Sequence, residues 1–222
     1  MESQTTEGPT MKGKVTVLVA IGALALASGA LAAMVDGTSG NDRLRGTMRA
    51  DVMRAFAGDD FVNARAGNDL VRAGGGADVV QGDRGSDIVF GGTGSDRLNA
   101  GGADDVVWAG SGDDAVHGGE GPDELHGGTG DDTVRGGPGD DRLWAGPGHD
   151  VVHGGSGDDA LHALAADGAA DTLDCGPGRD RAWVLASERP TTTFRGCETV
   201  MVVVSASADD AAAEGDRDAD AD

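Results

Sequence analysis

The chain contains no tyrosine, and only 3% of its 222 residues are aromatic. Large side chains are therefore too few to fill the interior of a conventional sandwich or helix bundle. Basic residues are scarce as well: 17 Lys and Arg stand against 39 Asp and Glu, for a formal net charge of -22. Nucleic-acid phosphates need Lys and Arg, so nucleic acid is excluded as a partner, and metal cations or solubility remain as uses for the acids. Cysteine is nearly absent. Cys175 and Cys197 lack the CxxC spacing of zinc and redox sites, and they suit a single disulfide if the chain leaves the cytosol. Gly-x-Ser-x-Gly elbows, Walker loops and Cys/His nucleophile pairs are missing too, so the expectation is a protein that is not an enzyme.

Glycine, in contrast, is abundant at 40 residues, and many of the acids fall at a fixed interval. From Gly37 onward an aspartate stands at every ninth position: Asp42, Asp51, Asp60, Asp69, Asp78, Asp87, Asp96, Asp105, Asp114, Asp123, Asp132, Asp141, Asp150 and Asp159. Two residues after each comes an apolar side chain, from Leu44 and Met53 to Val152 and Leu161. Two residues before each stands Gly, except at Arg49 and Ala103, and every unit opens with Gly or Ala. A unit of nine residues buries nothing by itself, so the strict repetition predicts a solenoid whose units stack on one another. Gly at this density costs a helix about 1 kcal/mol per residue, which excludes helices. The residue after Asp, the apolar residue and the next one predict a short strand with the apolar side chain inward. The preceding residues form a turn, in which Gly supplies positive φ and a close backbone approach to an ion, and Asp supplies a carboxylate.

These units resemble the RTX, or haemolysin-type, calcium-binding repeats, whose motif is GGxGxDxUx with U a large apolar residue. Gly91-Gly92-Thr93-Gly94-Ser95-Asp96-Arg97-Leu98-Asn99 and Gly127-Gly128-Thr129-Gly130-Asp131-Asp132-Thr133-Val134-Arg135 match it throughout, and the resemblance covers residues 37–162. It implies an all-β fold, a parallel β-roll solenoid with two repeats per turn, in which repeats of the same parity stack and several calcium ions lie between successive turns at each edge. On this resemblance the calcium ligands are Asp42, Asp60, Asp69, Asp78, Asp87, Asp96, Asp105, Asp114, Asp123, Asp132, Asp141, Asp150 and Asp159. Each shares an ion with the Asp 18 residues on, and backbone carbonyls complete the shell. Asp51 is set aside because Met48, Arg49 and Ala50 in its loop depart from the pattern. Oxygen-only donors suit calcium rather than zinc or copper. Carboxylates in register on turns about 4.8 Å apart repel one another. The repeats are therefore expected to stay disordered at cytosolic calcium and to fold after export.

After Asp159 the period slips by three and resumes with Asp171-Thr172-Leu173 and Cys175-Gly176-Pro177-Gly178-Arg179-Asp180, two atypical closing repeats. Together with Cys197-Glu198-Thr199-Val200 they resemble the terminal cap of secreted actinobacterial members of the family, which implies a Cys175–Cys197 disulfide, with 200–204 as the candidate last strand. At the other end Lys12 and Lys14 precede an apolar run over 15–27 and the small-residue sequence Ala30-Leu31-Ala32. This is the pattern of a signal peptide cleaved after Ala32; the alternative is an uncleaved membrane anchor. The expected organisation is a signal peptide over 1–32, a fourteen-repeat β-roll over 37–162, atypical repeats with a disulfide-linked cap over 163–204, and a disordered acidic tail over 205–222. A protein so organised is secreted and has no membrane contact once the signal is removed.

Two further patterns bear on function. His149-Asp150-Val151-Val152-His153 has the spacing of the zinc-protease motif HExxH but lacks its Glu and its helix, and Asp150 belongs to the repeat. Sorting by parity the residue that follows each inward apolar position places Arg54, Arg72, Phe90, Trp108, His126, Trp144 and His162 in one set. With two repeats per turn these share an outer face, where Phe90, Trp108 and Trp144 are candidates to bind an extracellular partner or a glycan, or to mediate self-association. The other reading is that they pack only against their ladder neighbours. The function expected is a secreted calcium-binding structural or extracellular matrix protein, with a calcium-dependent adhesin or glycan-binding module as the alternative.

Overall fold

A computed structural model describes residues 33–204; the signal peptide expected over 1–32 and the acidic tail expected over 205–222 lie outside the described residues. Residues 33–204 form nineteen strands and no helix. All the strands pair in parallel, ten in one sheet and nine in the other. Successive strands alternate between the sheets, so two repeats complete a turn and repeats of equal parity lie in register. In the ten-stranded sheet Val89 pairs with Val107 and Phe90 with Trp108. Across the roll Val134 pairs with Val152. The solenoid that the nine-residue period predicts is thus present, and it takes the form of the parallel β-roll that the family resemblance implies.

The interior is a thin aliphatic seam. Each repeat sends its one apolar strand residue inward, and Leu44, Met53, Val71, Leu125, Leu143 and Leu161 are all at most 1% exposed. Burying such a side chain contributes about 1.5–3 kcal/mol. Opening residues such as Ala55, Ala64 and Ala100 bury their methyl groups in the same seam.

Most strands are longer than the sequence pattern indicates. Ile88–Thr93 and Thr133–Pro138 each run six residues, through the two glycines that open the next repeat. Those glycines pair as well, Gly92 with Gly110 and Gly137 with Gly155. Short strands such as Phe61–Asn63 keep the expected three residues. Glycine is favoured at the second and fourth loop positions, where φ is positive: 112° at Gly92 and 120° at Gly94. A methyl group on Gly92 would also collide with the carbonyl oxygen of Gly74, one turn earlier. Phe56, Arg65, Asp83 and Ala103 adopt positive φ with a side chain present, which stores local strain.

At the C-terminal end three extra residues enlarge the loop before Asp171, and the register shifts so that Val151 pairs with Thr172. The roll then continues through the two closing repeats. Its last strand, Thr199–Val203, pairs with Arg181–Leu185, close to the expected 200–204. The Cys175–Cys197 disulfide ties these final turns together.

On the outer face of the ten-stranded sheet Phe90, Trp108, His126, Trp144, His162 and Trp183 form one uninterrupted stack. Neighbouring ring centroids are 4.4–5.5 Å apart and the planes agree within 12°, with the Arg72 guanidinium 5.5 Å above the Phe90 ring. Every ring from Trp108 to His162 therefore has both faces covered by its ladder neighbours. The ladder packing that is one of the two expected readings of these residues is thus present. Each stacked pair contributes about 0.5–1.5 kcal/mol beyond burial. Replacing Trp144 by Ser removes two such pairs and is expected to lower stability by about 2 kcal/mol, read by urea denaturation in millimolar calcium. An unchanged midpoint would show that the stack does not hold the sheet.

Candidate functional site

Each repeat ends its turn with an Asp whose side chain folds under the loop. Asp78, Asp87, Asp105 and Asp132 are at most 1% exposed. Because the strands alternate between sheets, the sequence-predicted residues divide into two rows. Asp42, Asp60, Asp78, Asp96, Asp114, Asp132 and Asp150 follow one edge of the roll. Asp69, Asp87, Asp105, Asp123, Asp141 and Asp159 follow the other.

One hydrogen-bond pattern runs along both rows. The backbone N–H of an Asp donates to Oδ1 of the Asp one turn on: Asp60 to Asp78 at 2.8 Å, Asp105 to Asp123 at 2.9 Å and Asp132 to Asp150 at 2.8 Å. The carbonyl of the same Asp accepts from the residue after that next Asp, as Asp60 O does from Val79 N–H at 2.9 Å. The loop N–H groups that no sheet satisfies are thus satisfied by carboxylates.

The other carboxylate oxygen is left over. Oδ2 is buried and has no hydrogen-bond partner in Asp60, Asp69, Asp78 and Asp87, and from Asp105 to Asp159 in both rows. A buried acceptor without a partner is costly, and here it recurs turn after turn. Its surroundings are oxygen-rich. The point where a methyl group on Gly127 would sit lies 2.7 Å from Asp132 Oδ2 and 2.5 Å from the carbonyl oxygen of Ala145, one turn on. The carboxylate oxygen and a loop carbonyl of the next turn thus lie close to one another beside the opening residue, and hard oxygen donors of this kind suit a divalent cation such as calcium. Among the described residues no three His, Cys, Asp or Glu side chains gather at one point, so a full coordination shell there has to draw on backbone carbonyls.

Burial pushes these carboxyls well above their ordinary range: Asp69 to about 6, Asp87, Asp105 and Asp141 to about 7, and Asp132 to about 8. The N–H from the previous turn lowers each in part, and the charges of row neighbours raise it again.

The ends of the rows differ from the middle. Asp51, set aside on sequence grounds, stands in register, and its N–H donates to Asp69 Oδ1 at 2.7 Å. Its own carboxylate accepts from Thr47 N–H, from Thr47 Oγ1 and from Ala33 N–H. Asp42 is closed in the same way by Thr38 N–H and Oγ1, although its Oδ1 has no hydrogen-bond partner. At the other end Asp171 and Asp180 join the rows through Asp150 N–H at 3.0 Å and Asp159 N–H at 2.8 Å. Sequence reasoning placed these two in closing repeats without counting them as ligands; the apolar residue two places on, Leu173 or Ala182, was the signal available. His149 lies in a loop, where its Nδ1 accepts from Ala170 N–H at 2.9 Å, and His153 lies on the strand Val151–Ser156.

The chain is similar to one known family. A model of the RTX calcium-binding nonapeptide repeat, four copies long, matches residues 36–71, 56–89, 65–98, 90–125 and 126–161. No curated protein matches the chain.

A carboxyl whose folded pKa lies above the ordinary value of about 4 holds a proton that the unfolded chain releases. Between about pH 4 and pH 8 the metal-free roll therefore loses stability as pH rises. In chelator, the β-sheet circular dichroism is expected to grow as pH is lowered from 8 to 5. A signal that stays flat or falls over that window would count against the buried rows.

Proposed function

The chain belongs to the family of RTX calcium-binding nonapeptide repeats, and from that premise we propose that it is an extracellular structural protein whose roll folds around calcium and which has no enzymatic activity. The observation that carries this reading is the recurrent buried Oδ2 beside a backbone carbonyl, as at Asp132 and Ala145. Calcium, when bound, supplies a compact double positive charge that accepts about six to eight oxygens. The rows from Asp60 to Asp159 present one inward carboxylate per loop toward such a charge, and the loop carbonyls provide the rest of the shell. With that charge in place, neighbouring carboxylates are held together instead of repelling. Without it, at neutral pH, the glycine-rich loops have little to offset the entropy lost on ordering them.

Export fits this switch. Calcium is scarce in the cytosol and abundant outside, so the chain would remain unfolded during translocation and fold on arrival. The apolar segment over 15–27 and the cleavage pattern at Ala30-Leu31-Ala32 support the same route. A matrix role suits a chain given over largely to repeats. The alternative, an adhesin or glycan-binding module acting through Phe90, Trp108 and Trp144, is less favoured. Sugars stack on exposed ring faces, and the faces of Trp108 and Trp144 lie against Phe90, His126 and His162.

Circular dichroism of the chain over 33–222 at pH 7.5 tests this reading. A disordered spectrum in chelator is expected to convert to β structure on addition of millimolar calcium, with magnesium a poor substitute because it demands a smaller, more rigid shell. A spectrum indifferent to both chelator and calcium would overturn it.

A further inference from the structure

The last regular loop, Cys175-Gly176-Pro177-Gly178-Arg179-Asp180, lies beyond the span matched by the family. It follows the previous loop of its row by 21 residues instead of 18, yet it reproduces the contacts of the rows. Asp159 N–H donates to Asp180 Oδ1 at 2.8 Å, and Asp180 N–H donates in turn to Glu198 Oε2 at 2.7 Å. Gly176 takes a φ of 94°, as second loop positions do elsewhere. The point where a methyl group on Gly154 would sit lies 2.5 Å from Asp159 Oδ2 and 2.5 Å from the carbonyl oxygen of Cys175. These are the counterparts of Asp132 Oδ2 and Ala145 O around Gly127. Asp159 and Asp180 are 2% and 0% exposed; Asp159 Oδ2 is without a hydrogen-bond partner, and the Asp180 carboxyl lies against that of Glu198.

The two cysteines bracket this rung. Cys175, fully buried, opens the loop in place of the usual Gly or Ala and supplies the carbonyl. Cys197, bonded to it, immediately precedes Glu198, which holds the Asp180 N–H. We propose that Asp159, Asp180 and the Cys175 carbonyl form a calcium site belonging to the C-terminal cap, clasped by the Cys175–Cys197 disulfide. The proposal rests on the calcium reading of the repeats. The disulfide fixes the same turn that the site needs, so bond and ion stabilise a common conformation and each strengthens the other by the same factor. The cap thereby offers an ordered end on which the remaining turns can stack.

Calcium calorimetry on the oxidised chain, with amide exchange in the strand Arg181–Leu185 as a second readout, tests this site. Asp180→Asn is expected to take up one ion fewer than the wild type. The Cys175→Ser/Cys197→Ser pair is expected to keep the repeat sites and to bind the cap ion at least about fivefold more weakly. In both variants Arg181–Leu185 should exchange faster at subsaturating calcium. Wild-type stoichiometry, affinity and exchange in both variants, while the repeats still bind calcium, would overturn the cap site alone. A wild-type chain that takes up no calcium would overturn it together with the reading beneath it. Asp180→Asn keeps the disulfide, so it remains decisive if the serine pair does not fold.

Discussion

The structure depends on carboxylates held in register inside a parallel roll. Each sits one turn from the next in its row, buried, with one oxygen committed to a backbone N–H and the other facing loop carbonyls. The first oxygen makes the loop possible, because turn N–H groups outside the sheets must find acceptors. The second makes the loop conditional. A buried negative oxygen with no donor opposes folding until a proton or a cation meets it. The same residue is therefore both the pin of the turn and the gate on its formation.

The remaining features divide the work around that gate. The aliphatic seam is one side chain deep from each sheet, which is enough to set the direction of every strand but thin for a chain so rich in glycine. Outside, the stack from Phe90 to Trp183 adds cohesion along the axis of the roll, perpendicular to the strands, over the turns farthest from the N-terminal end. The N-terminal turns are built differently. Thr38 and Thr47 donate to the Asp42 and Asp51 carboxylates from within their own loops, so those turns depend less on an outside charge. The C-terminal turns use a covalent bond and Glu198 where the repeats run out.

Much of this was legible in the sequence because a strict period leaves few choices. A spacing of nine fixes which side chains face inward, and the pairing of Val89 with Val107 or Val134 with Val152 follows once two repeats make a turn. The division of the Asp residues into two rows belongs to the same logic, whereas the Cys175–Cys197 bond was expected from the resemblance of the closing segment to a known terminal cap. Other features depend on contacts that a spacing does not carry. The parity pattern gathered Phe90, Trp108 and Trp144 on one face but could not show that the rings turn face to face. The capture of Asp51 by Thr47 depends on a side-chain geometry that the departure at Met48-Arg49-Ala50 obscured. Asp171 and Asp180 are displaced from the period by three residues, and the shifted strand register with the hydrogen bonds from Asp150 and Asp159 restores them to the rows.

A crystal structure of the chain grown in calcium tests the central claim most directly, with anomalous scattering used to identify the ions. The account predicts two files of calcium along the edges of the roll, each ion touching Oδ2 of a buried Asp such as Asp87, Asp105 or Asp132 together with loop carbonyls. A folded roll whose Oδ2 atoms are met only by water, with no anomalous peaks along either edge, would contradict it.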